Sequence, residues 1–249
     1  MSGRLLVLTA MRAELAPLLD EMDRKWDTER WGGIDLHHGF VGQTEVMALA
    51  TGVGKVRASA ATQYAIGQFA PSLVLFIGAA GALGDDLRQG QAIVGAKVVE
   101  HDFDMRALAA NPSASSGRTW IVDPNLSKTT LDAAQRALGV ANVRLGTILT
   151  GDQVVADPGR RSELRQTFGG DCVEMEGAAV ASVCHLNKVA FTVVRIVSDR
   201  AGPRARRQFV GQLPSVGAMS LRIINEILRE DDLTGQSGKS PQPAEDTVI

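Results

Sequence analysis

The chain has 249 residues, of which 45% are hydrophobic and 22% charged, and its formal net charge is -2. This composition predicts a globular protein with a sizeable core. The charge argues against a broad nucleic-acid or membrane-surface footprint, because both require a strong basic excess. The two cysteines, Cys172 and Cys184, lie at no metal-ligand or redox spacing, so we interpret them as buried thiols in a reducing compartment.

The extent of the fold and its location also follow from composition. No stretch approaches the ~20 apolar residues of a membrane span. The brief apolar run at the start is soon followed by Arg12 and Glu14, unlike a secretory signal. We therefore expect a cytoplasmic protein with one α/β domain over residues 1–230 and a disordered tail over 231–249, which is rich in Gly, Ser, Pro and acids.

Apolar runs typical of strands alternate along the chain with segments of helical periodicity. The predicted strands cover residues 5–8, 34–41, 45–51, 73–77, 91–100, 143–149, 172–175 and 189–197. The predicted helices cover residues 12–22, 55–69, 125–138, 177–187 and 209–230. The spacing of 34–41 and 45–51 indicates a hairpin. Polar loops are predicted at 111–117 and at 203–208, the latter carrying three arginines.

Two glycine-containing segments and one acidic segment have compositions that also occur at ligand-binding sites. Residues 78–83 follow the strongest strand signal, and a small-residue loop there would expose backbone to a ligand; a tight turn explains the composition equally well. The segment Gly52–Lys55 is not a Walker A loop, because it lacks the first glycine and has Val56 after the lysine. His101 and Asp102 have no companion cluster, so no metal site is expected.

Three acidic residues fall where predicted strands end. Glu14 follows the first strand, Glu176 joins strand 172–175 to its helix, and Asp199 follows strand 189–197. Ligands of open α/β sheets bind at the carboxyl ends of strands. Glu14 and Glu176 could also simply complement a helix dipole, and Asp199 could cap a helix or turn. The pattern alone leaves both interpretations open.

Seven short motifs resemble, in the same order, those of the nucleoside phosphorylase/nucleosidase superfamily. The likeness runs from about residue 4 to residue 230 and is closest to the 5′-methylthioadenosine/S-adenosylhomocysteine nucleosidases. The motifs occupy residues 11–14, 51–56, 78–81, 101–102, 150–152, 173–176 and 194–199.

The resemblance implies a fold and an activity. The implied fold is a three-layer αβα sandwich with a mixed, twisted central sheet, usually in a homodimer and without a metal or an organic cofactor. The implied activity is hydrolysis of the N-glycosidic bond of a purine nucleoside, most closely 5′-methylthioadenosine and S-adenosylhomocysteine, with release of adenine. The implied partner is therefore a small nucleoside substrate, with no nucleic acid and no membrane.

The resemblance also assigns roles to the three acids. Asp199 matches the acid that protonates the purine at N7, Glu14 the base that deprotonates water, and Glu176 the carboxylate that binds the ribose hydroxyls. Cleavage passes through a ribosyl cation-like state, so a protonated leaving base and a nearby anion both lower the barrier.

Further positions match substrate-binding residues of the family. Met175 would pack under the ribose, Val155 would present backbone to adenine, and Arg195 would neutralise buried acids. A slot for the 5′ thioether would be lined by Met11, Val53, Met105 and Phe209. The matched motifs also include Gly81, Glu174 and Ser198. The sequence departs from the family at Val154, where an aromatic often stacks on adenine, and at Ala79, where serine is frequent.

Three alternatives remain open at this point. A phosphorylase could use the same fold, although Glu14 would repel an anion in the place of the nucleophile, and Arg12 leaves that point open. A nucleosidase could act on another purine nucleoside, for example a futalosine-type substrate. A non-catalytic binding protein is the third, and retention of all three acids argues against it.

Overall fold

The computed structural model describes residues 4–23, 29–105 and 117–230. The strands are β1 (Arg4–Thr9), β2 (Glu29–Trp31), β3 (Ile34–Val41), β4 (Thr44–Ala50), β5 (Leu73–Ala82), β6 (Ala92–Glu100), β7 (Arg118–Ile121), β8 (Val143–Thr150), β9 (Cys172–Glu174) and β10 (Ala190–Asp199). The helices are α1 (Arg12–Glu21), α2 (Lys55–Phe69), α3 (Pro124–Leu138), α4 (Pro158–Phe168), α5 (Gly177–Asn187) and α6 (Ala205–Ile227), with a short 3-10 turn at Val140–Asn142.

All ten strands belong to one mixed sheet, in agreement with the predicted fold class. Five of them close on themselves, because β10 pairs with both β5 and β6, and β8 and β9 complete the ring. From β5 the sheet continues outward through β1, β4, β3 and β2. The strands β10, β5, β1 and β4 are mutually parallel, so their carboxyl ends lie in a row at one edge. The remaining strands bring in the antiparallel pairs.

Helices cover the sheet on two sides, which gives the three predicted layers. One apolar cluster joins the sheet to α2 and α5, and the other joins it to α1, α3 and α6. The alternation of side chains in β1 builds both clusters, since Leu6 and Leu8 enter the first and Leu5 and Val7 the second. No helix in the described part of the chain is long and apolar enough to cross a membrane.

Most predicted elements are confirmed, and the hairpin of β3 and β4 is antiparallel as expected. The helix predicted at 177–187 has the same bounds in α5. The strand predicted at 172–175 ends one residue earlier, at Glu174. The predicted tail at 231–249 and nearly all of the loop at 111–117 lie outside the described residues.

Two predicted loops are wrong. Residues 78–82 continue β5 and pair with β10 and β9, because small side chains let the backbone hydrogen-bond within a crowded sheet. Residues 205–208 already belong to α6, whose first residue Ala205 is buried. In both places tertiary packing overrides a composition that is typical of loops.

Three elements were not predicted. The helix α4 buries only Leu164, so it has no apolar stripe that the sequence pattern could reveal. The strands β2 and β7 are only three and four residues long. Each is defined by its pairing, β2 with β3 and β7 with β6, rather than by local periodicity.

Candidate active site

The three candidate acids lie near the row of parallel strand ends. Glu14 is in the first turn of α1, directly after β1, and Asp199 is the last residue of β10. Glu176 immediately precedes α5, after β9. All three are buried. Glu14 and Glu176 each accept a hydrogen bond from a distant segment, at Ala79 and at Gly54, whereas Asp199 is held by the N–H of Ala201 two residues along the chain.

Backbone amides hold the carboxylate of Glu14 from two sides. Its Oε2 accepts hydrogen bonds from the N–H groups of Ala10 (3.1 Å) and Met11 (3.0 Å). Its Oε1 accepts one from the N–H of Ala79 on β5 (2.8 Å). Burial raises the pKa of Glu14 against the opposing effect of these donors and of the Arg195 charge. The three N–H groups therefore orient the carboxylate of Glu14, and burial brings its pKa closer to the range of a general base.

A buried arginine connects the acids at the centre of the site. Arg195 Nη2 lies 2.6 Å from Glu174 Oε2, and both side chains are almost completely buried. The guanidinium carbon of Arg195 sits 3.9 Å from the ring centroid of Phe76, a cation–π contact. Gly78 makes room for this arrangement, because a Cβ there would lie 2.7 Å from Glu14 Oε1 and 3.2 Å from Arg195 Nη1.

Glu174 orients the start of α5 and thereby Glu176. Its carboxylate accepts hydrogen bonds from the N–H groups of Glu176 (3.0 Å) and Gly177 (2.8 Å), and from the hydroxyl of Thr150. Thr150 Oγ1 in turn accepts the N–H of Ala178 at 2.8 Å. Glu174 is thus the group that caps α5, and the side chain of Glu176 is left for another role.

Glu176 extends toward the loop that precedes α2. Its Oε1 accepts a hydrogen bond from the N–H of Gly54 at 2.8 Å, and among the described residues no donor bonds to its Oε2. Burial raises the pKa of Glu176, and the negative charge of Glu174 raises it further. A carboxylate oxygen that no described donor occupies can accept hydrogen bonds from ligand hydroxyls.

Asp199 lies farther along the β5–β10 pair. In the register of this pair, Arg195 is opposite Gly78 and Asp199 is opposite Gly81, so Asp199 lies about 7 Å farther along β5 than Ala79, the residue whose N–H binds Glu14. The N–H of Ala201 donates to Asp199 Oδ1 at 2.8 Å. Burial raises the pKa of Asp199 against the opposing effects of its hydrogen bonds from Ala201 and Ser198. A raised pKa suits a group that must hold a proton until a leaving group takes it.

Phe209 lies half-buried in α6, and the other predicted residues fall into two groups. Some surround the acids: Met11, Ala79, Gly81, Glu174, Met175, Arg195 and Ser198. Ser198 is fully buried, and its hydroxyl contacts Asp199 Oδ2 and the carbonyl of Ala80, so it supports the acid from behind. Val155 packs in a small apolar cluster with Leu83 and Ala201, while Val53, Met105 and Val154 lie exposed at the rim.

An ion cluster stands at the rim beside these exposed residues. Lys55 Nζ lies 2.8 Å from Glu100 and 2.7 Å from Asp102, and Asp152 Oδ1 accepts the N–H of Lys55 at 2.9 Å. Burial acts to lower the pKa of Lys55, but the hydrogen bonds that Lys55 donates to Asp102 and Glu100 outweigh it and raise the pKa. The cluster joins the start of α2 to the segments after β6 and β8.

Sequence reasoning missed several supporting residues. Phe76 was predicted only as a strand residue and Gly78 only as part of a small-residue loop, because their contacts with Arg195 and Glu14 depend on which strand lies beside β5. Thr150 and Asp152 occur in a matched motif, yet nothing in that motif indicated that they would hold Glu174 and cap α2.

Within residues 4–23, 29–105 and 117–230, no group of three or more His, Cys, Asp or Glu is placed to hold a metal ion. A cavity of about 370 Å³ lies beside the first turns of α6, and its lining residues do not include the three acids. It is lined by Gln89, Arg204, Arg207, Gln208, Gly211 and Gln212.

With this sheet and this group of carboxylates, the chain belongs to the phosphorylase superfamily, whose family model matches residues 4–229. Among its relatives is the 5′-methylthioadenosine/S-adenosylhomocysteine nucleosidase of Tolumonas auensis. The two are 32% identical over 227 residues, which are 90% of this chain and 98% of the relative.

Solved structures of two enzymes share the fold over nearly their whole length. The 5′-methylthioadenosine/S-adenosylhomocysteine nucleosidase of Neisseria meningitidis, in complex with methylthio-immucillin-A, superposes with a TM-score of 0.83 at 29% identity and covers 91% of this chain and 99% of that one. A futalosine hydrolase mutant of Helicobacter pylori superposes with a TM-score of 0.82 at 28% identity, covering 91% and 98%.

Proposed function

We propose that the protein hydrolyses the N-glycosidic bond of 5′-methylthioadenosine and S-adenosylhomocysteine and releases adenine. The observation that carries the proposal is the placement of Glu14 and Asp199, two buried carboxyls that meet the same strand, β5, at Ala79 and at Gly81, which are two residues or about 7 Å apart along the strand. This spacing leaves room between them for a glycosidic carbon. The family and the names of the similar nucleosidases support the same substrate.

Each acid has a distinct part in the proposed reaction. Asp199, whose pKa burial raises, gives its proton to the purine as the bond to the sugar breaks. Glu14 removes a proton from water, which attacks the sugar carbon from the side opposite the base. Glu176 accepts hydrogen bonds from the ribose hydroxyls, and its negative charge stabilises the cation-like sugar.

The surroundings of Glu14 favour water over phosphate as the nucleophile. The three backbone N–H groups that could have bound an anion, those of Ala10, Met11 and Ala79, all donate to Glu14 instead. A phosphate placed beside this carboxylate would meet a like charge and few free donors. We therefore favour a hydrolase over a phosphorylase.

The test is to identify the sugar product in phosphate-free buffer. Incubation with 5′-methylthioadenosine should release adenine and free 5-methylthioribose. The variants Asp199→Asn and Glu14→Gln should each lower kcat at least about a hundredfold with an unchanged melting temperature. The exposed Glu163→Gln is the control and should retain the wild-type rate. Strict dependence on phosphate, or unchanged rates in both variants, would contradict the proposal.

A comparison of nucleosides tests the substrate assignment. Turnover should be fastest with 5′-methylthioadenosine and S-adenosylhomocysteine, slower with adenosine and slowest with inosine. Val154 offers no aromatic face to adenine, and such stacking is worth about 0.5–1.5 kcal/mol beyond area burial. A preference for inosine, or for a futalosine-type nucleoside, would identify a different purine nucleosidase. The similarity to a futalosine hydrolase is the reason to include the second of these substrates in the test.

We also propose that two copies form a homodimer through the rim beside the ion cluster. The apolar side chains Val53, Val56, Met105 and Val154 are 50%, 80%, 41% and 74% exposed. The Lys55 ion cluster ties together the three segments that carry them. Apolar side chains gathered in this way favour a protein partner over water.

Sedimentation of the wild-type protein and of Val56→Glu tests the homodimer. A dimer mass for the wild type and a monomer mass for the variant would support the proposed surface, whereas a monomeric wild type would contradict it.

We also propose a cytoplasmic location. The free, buried thiols Cys172 and Cys184 support it, since unpaired cysteines are typical of reducing compartments.

A further inference from the structure

The row of parallel strand ends sets a direction along the site. It begins at Asp199 on β10, passes β5 and then β1 with Glu14, and ends at β4. Hydrogen bonds from Thr51 N–H to Thr9 O (2.8 Å) and from Gly52 N–H to Ala10 O (3.0 Å) continue the β1–β4 pairing beyond the strands. Gly52 is therefore the outermost residue of the row, next to the segment that holds Glu14.

This direction can be matched to the parts of a nucleoside, and here the inference rests on the proposed function. With the base at Asp199 and the glycosidic carbon near Glu14, the sugar continues toward the end of β4. Neighbouring strands are about 4.8 Å apart, so each step along the row corresponds to a few atoms of the ligand. A substituent on the 5′ carbon, the group farthest from the base, then points toward Gly52.

Arg57 occupies this end of the row. It lies in the first turn of α2, and its guanidinium packs directly against the Cα of Gly52, where any Cβ would collide with it. Gly52 also has a φ of +84°, a conformation that favours glycine. The backbone of Gly52 thus both reaches the row of strand ends and makes room for the arginine.

Among the described residues, no carboxylate neutralises the charge of Arg57. Its guanidinium has no carboxylate within ion-pair distance in the described parts of the chain, whereas the neighbouring Lys55 is bound by Glu100 and Asp102. The first turn of α2 contains no acidic residue. The positive end of the helix dipole therefore adds to the arginine charge instead of offsetting it.

We propose that Arg57 binds a carboxylate on the 5′ substituent and makes the enzyme favour a nucleoside with an acidic 5′ side chain over the neutral nucleoside of the same length and shape. Guanidinium groups match carboxylates in two parallel hydrogen bonds, a geometry that lysine does not reproduce. Arg57 acts far from the breaking bond and determines specificity. An amino-acid side chain on the 5′ sulfur carries such a carboxylate.

The experiment compares two nucleosides that differ only in charge. They are 5′-S-(3-carboxypropyl)-5′-thioadenosine and its primary amide, and the quantity measured is the ratio of kcat/KM for the acid to kcat/KM for the amide. The wild type should favour the acid, and Arg57→Gln should lower the ratio about fivefold, the size of a good solvent-accessible charge pair. Arg57→Lys should recover part of the ratio, and added salt should weaken it.

A second arginine provides the control. Arg229 lies exposed just beyond the end of α6 and pairs with Glu226 in the last turn of that helix, so Arg229→Gln should keep the wild-type ratio. An equal ratio in the wild type and in Arg57→Gln, with adenine released from both nucleosides, would overturn the inference and leave the proposed function standing. If the wild type released no adenine from either nucleoside or from 5′-methylthioadenosine, both the inference and the proposed function would be wrong.

Discussion

Gly78→Ala should impair catalysis without harming the fold, because the added methyl group meets the carboxylate of Glu14. An ideal Cβ at this position lies 2.7 Å from Glu14 Oε1 and 3.1 Å from its Cδ. The backbone of Gly78 is that of an ordinary strand residue paired with Arg195, so alanine suits it. The strain therefore falls on the end of the Glu14 side chain.

The size of the effect follows from the displacement. Carbon–oxygen contacts rarely come closer than about 3.3 Å, so Glu14 Oε1 must move by about 0.6 Å. This shift stretches its 2.8 Å hydrogen bond from the N–H of Ala79. Misplacing a catalytic group by about 1 Å can cost on the order of a hundredfold in rate. We expect kcat to fall about ten- to hundredfold.

The assay measures adenine release under saturating nucleoside, together with the melting temperature. Gly67→Ala is the matched control, because it adds the same methyl group inside α2 with no atom within 4 Å of the new Cβ. It should keep the wild-type kcat and gain about 0.5–1 kcal/mol of stability, since alanine is the better helix residue. A Gly78→Ala protein with wild-type kcat would refute the importance of the Glu14 position.

Three further predictions concern stability and reactivity. Arg195→Met leaves Glu174 as an uncompensated buried charge and should lower the free energy of unfolding in urea by about 3–5 kcal/mol; a loss below about 1 kcal/mol would contradict the central role of the pair. The folded pKa of Glu176 lies above its ordinary value of 4.5, so its contribution to stability is largest below pH 4.5 and is lost as pH rises through the raised pKa. Urea titrations at several pH values should show a weaker pH dependence of the free energy of unfolding in Glu176→Gln than in the wild type. An equal pH dependence in both proteins would count against the raised pKa. Burial raises the pKa of the Cys172 and Cys184 thiols, so a thiol reagent should label neither in the native protein and both after unfolding; rapid native labelling would show that the described burial is wrong.

Several parts of the fold could be read from the sequence because they depend on local patterns. The continuous apolar run of residues 73–77 and the alternation in 34–41 mark strands wherever they later pair. The bounds of α5 follow from Glu176 and Gly177 at its start and from the end of the apolar periodicity at Asn187. Each acid's position at a strand end was evident for the same reason.

Patterns that depend on a partner were not readable. Residues 78–82 look like a loop in isolation and become strand only because β10 and β9 supply hydrogen bonds. The helix α4 has a nearly uniform polar surface, so one buried leucine gives no periodic signal. Arg57 appears in the sequence as one basic residue of an amphipathic helix, and its contact with Gly52 exists only in three dimensions.

The sequence by itself therefore determined the order of most elements and the position of three acids at strand ends, since hydrophobic periodicity and short motifs are properties of neighbouring residues. Only the tertiary structure decided that the sheet closes through β10 and β5, that Arg195 bridges toward both Glu14 and Glu174, and that Glu174 rather than Glu176 caps α5. The physical reason is that a buried charge requires specific partners, and the fold brings those partners from distant parts of the chain.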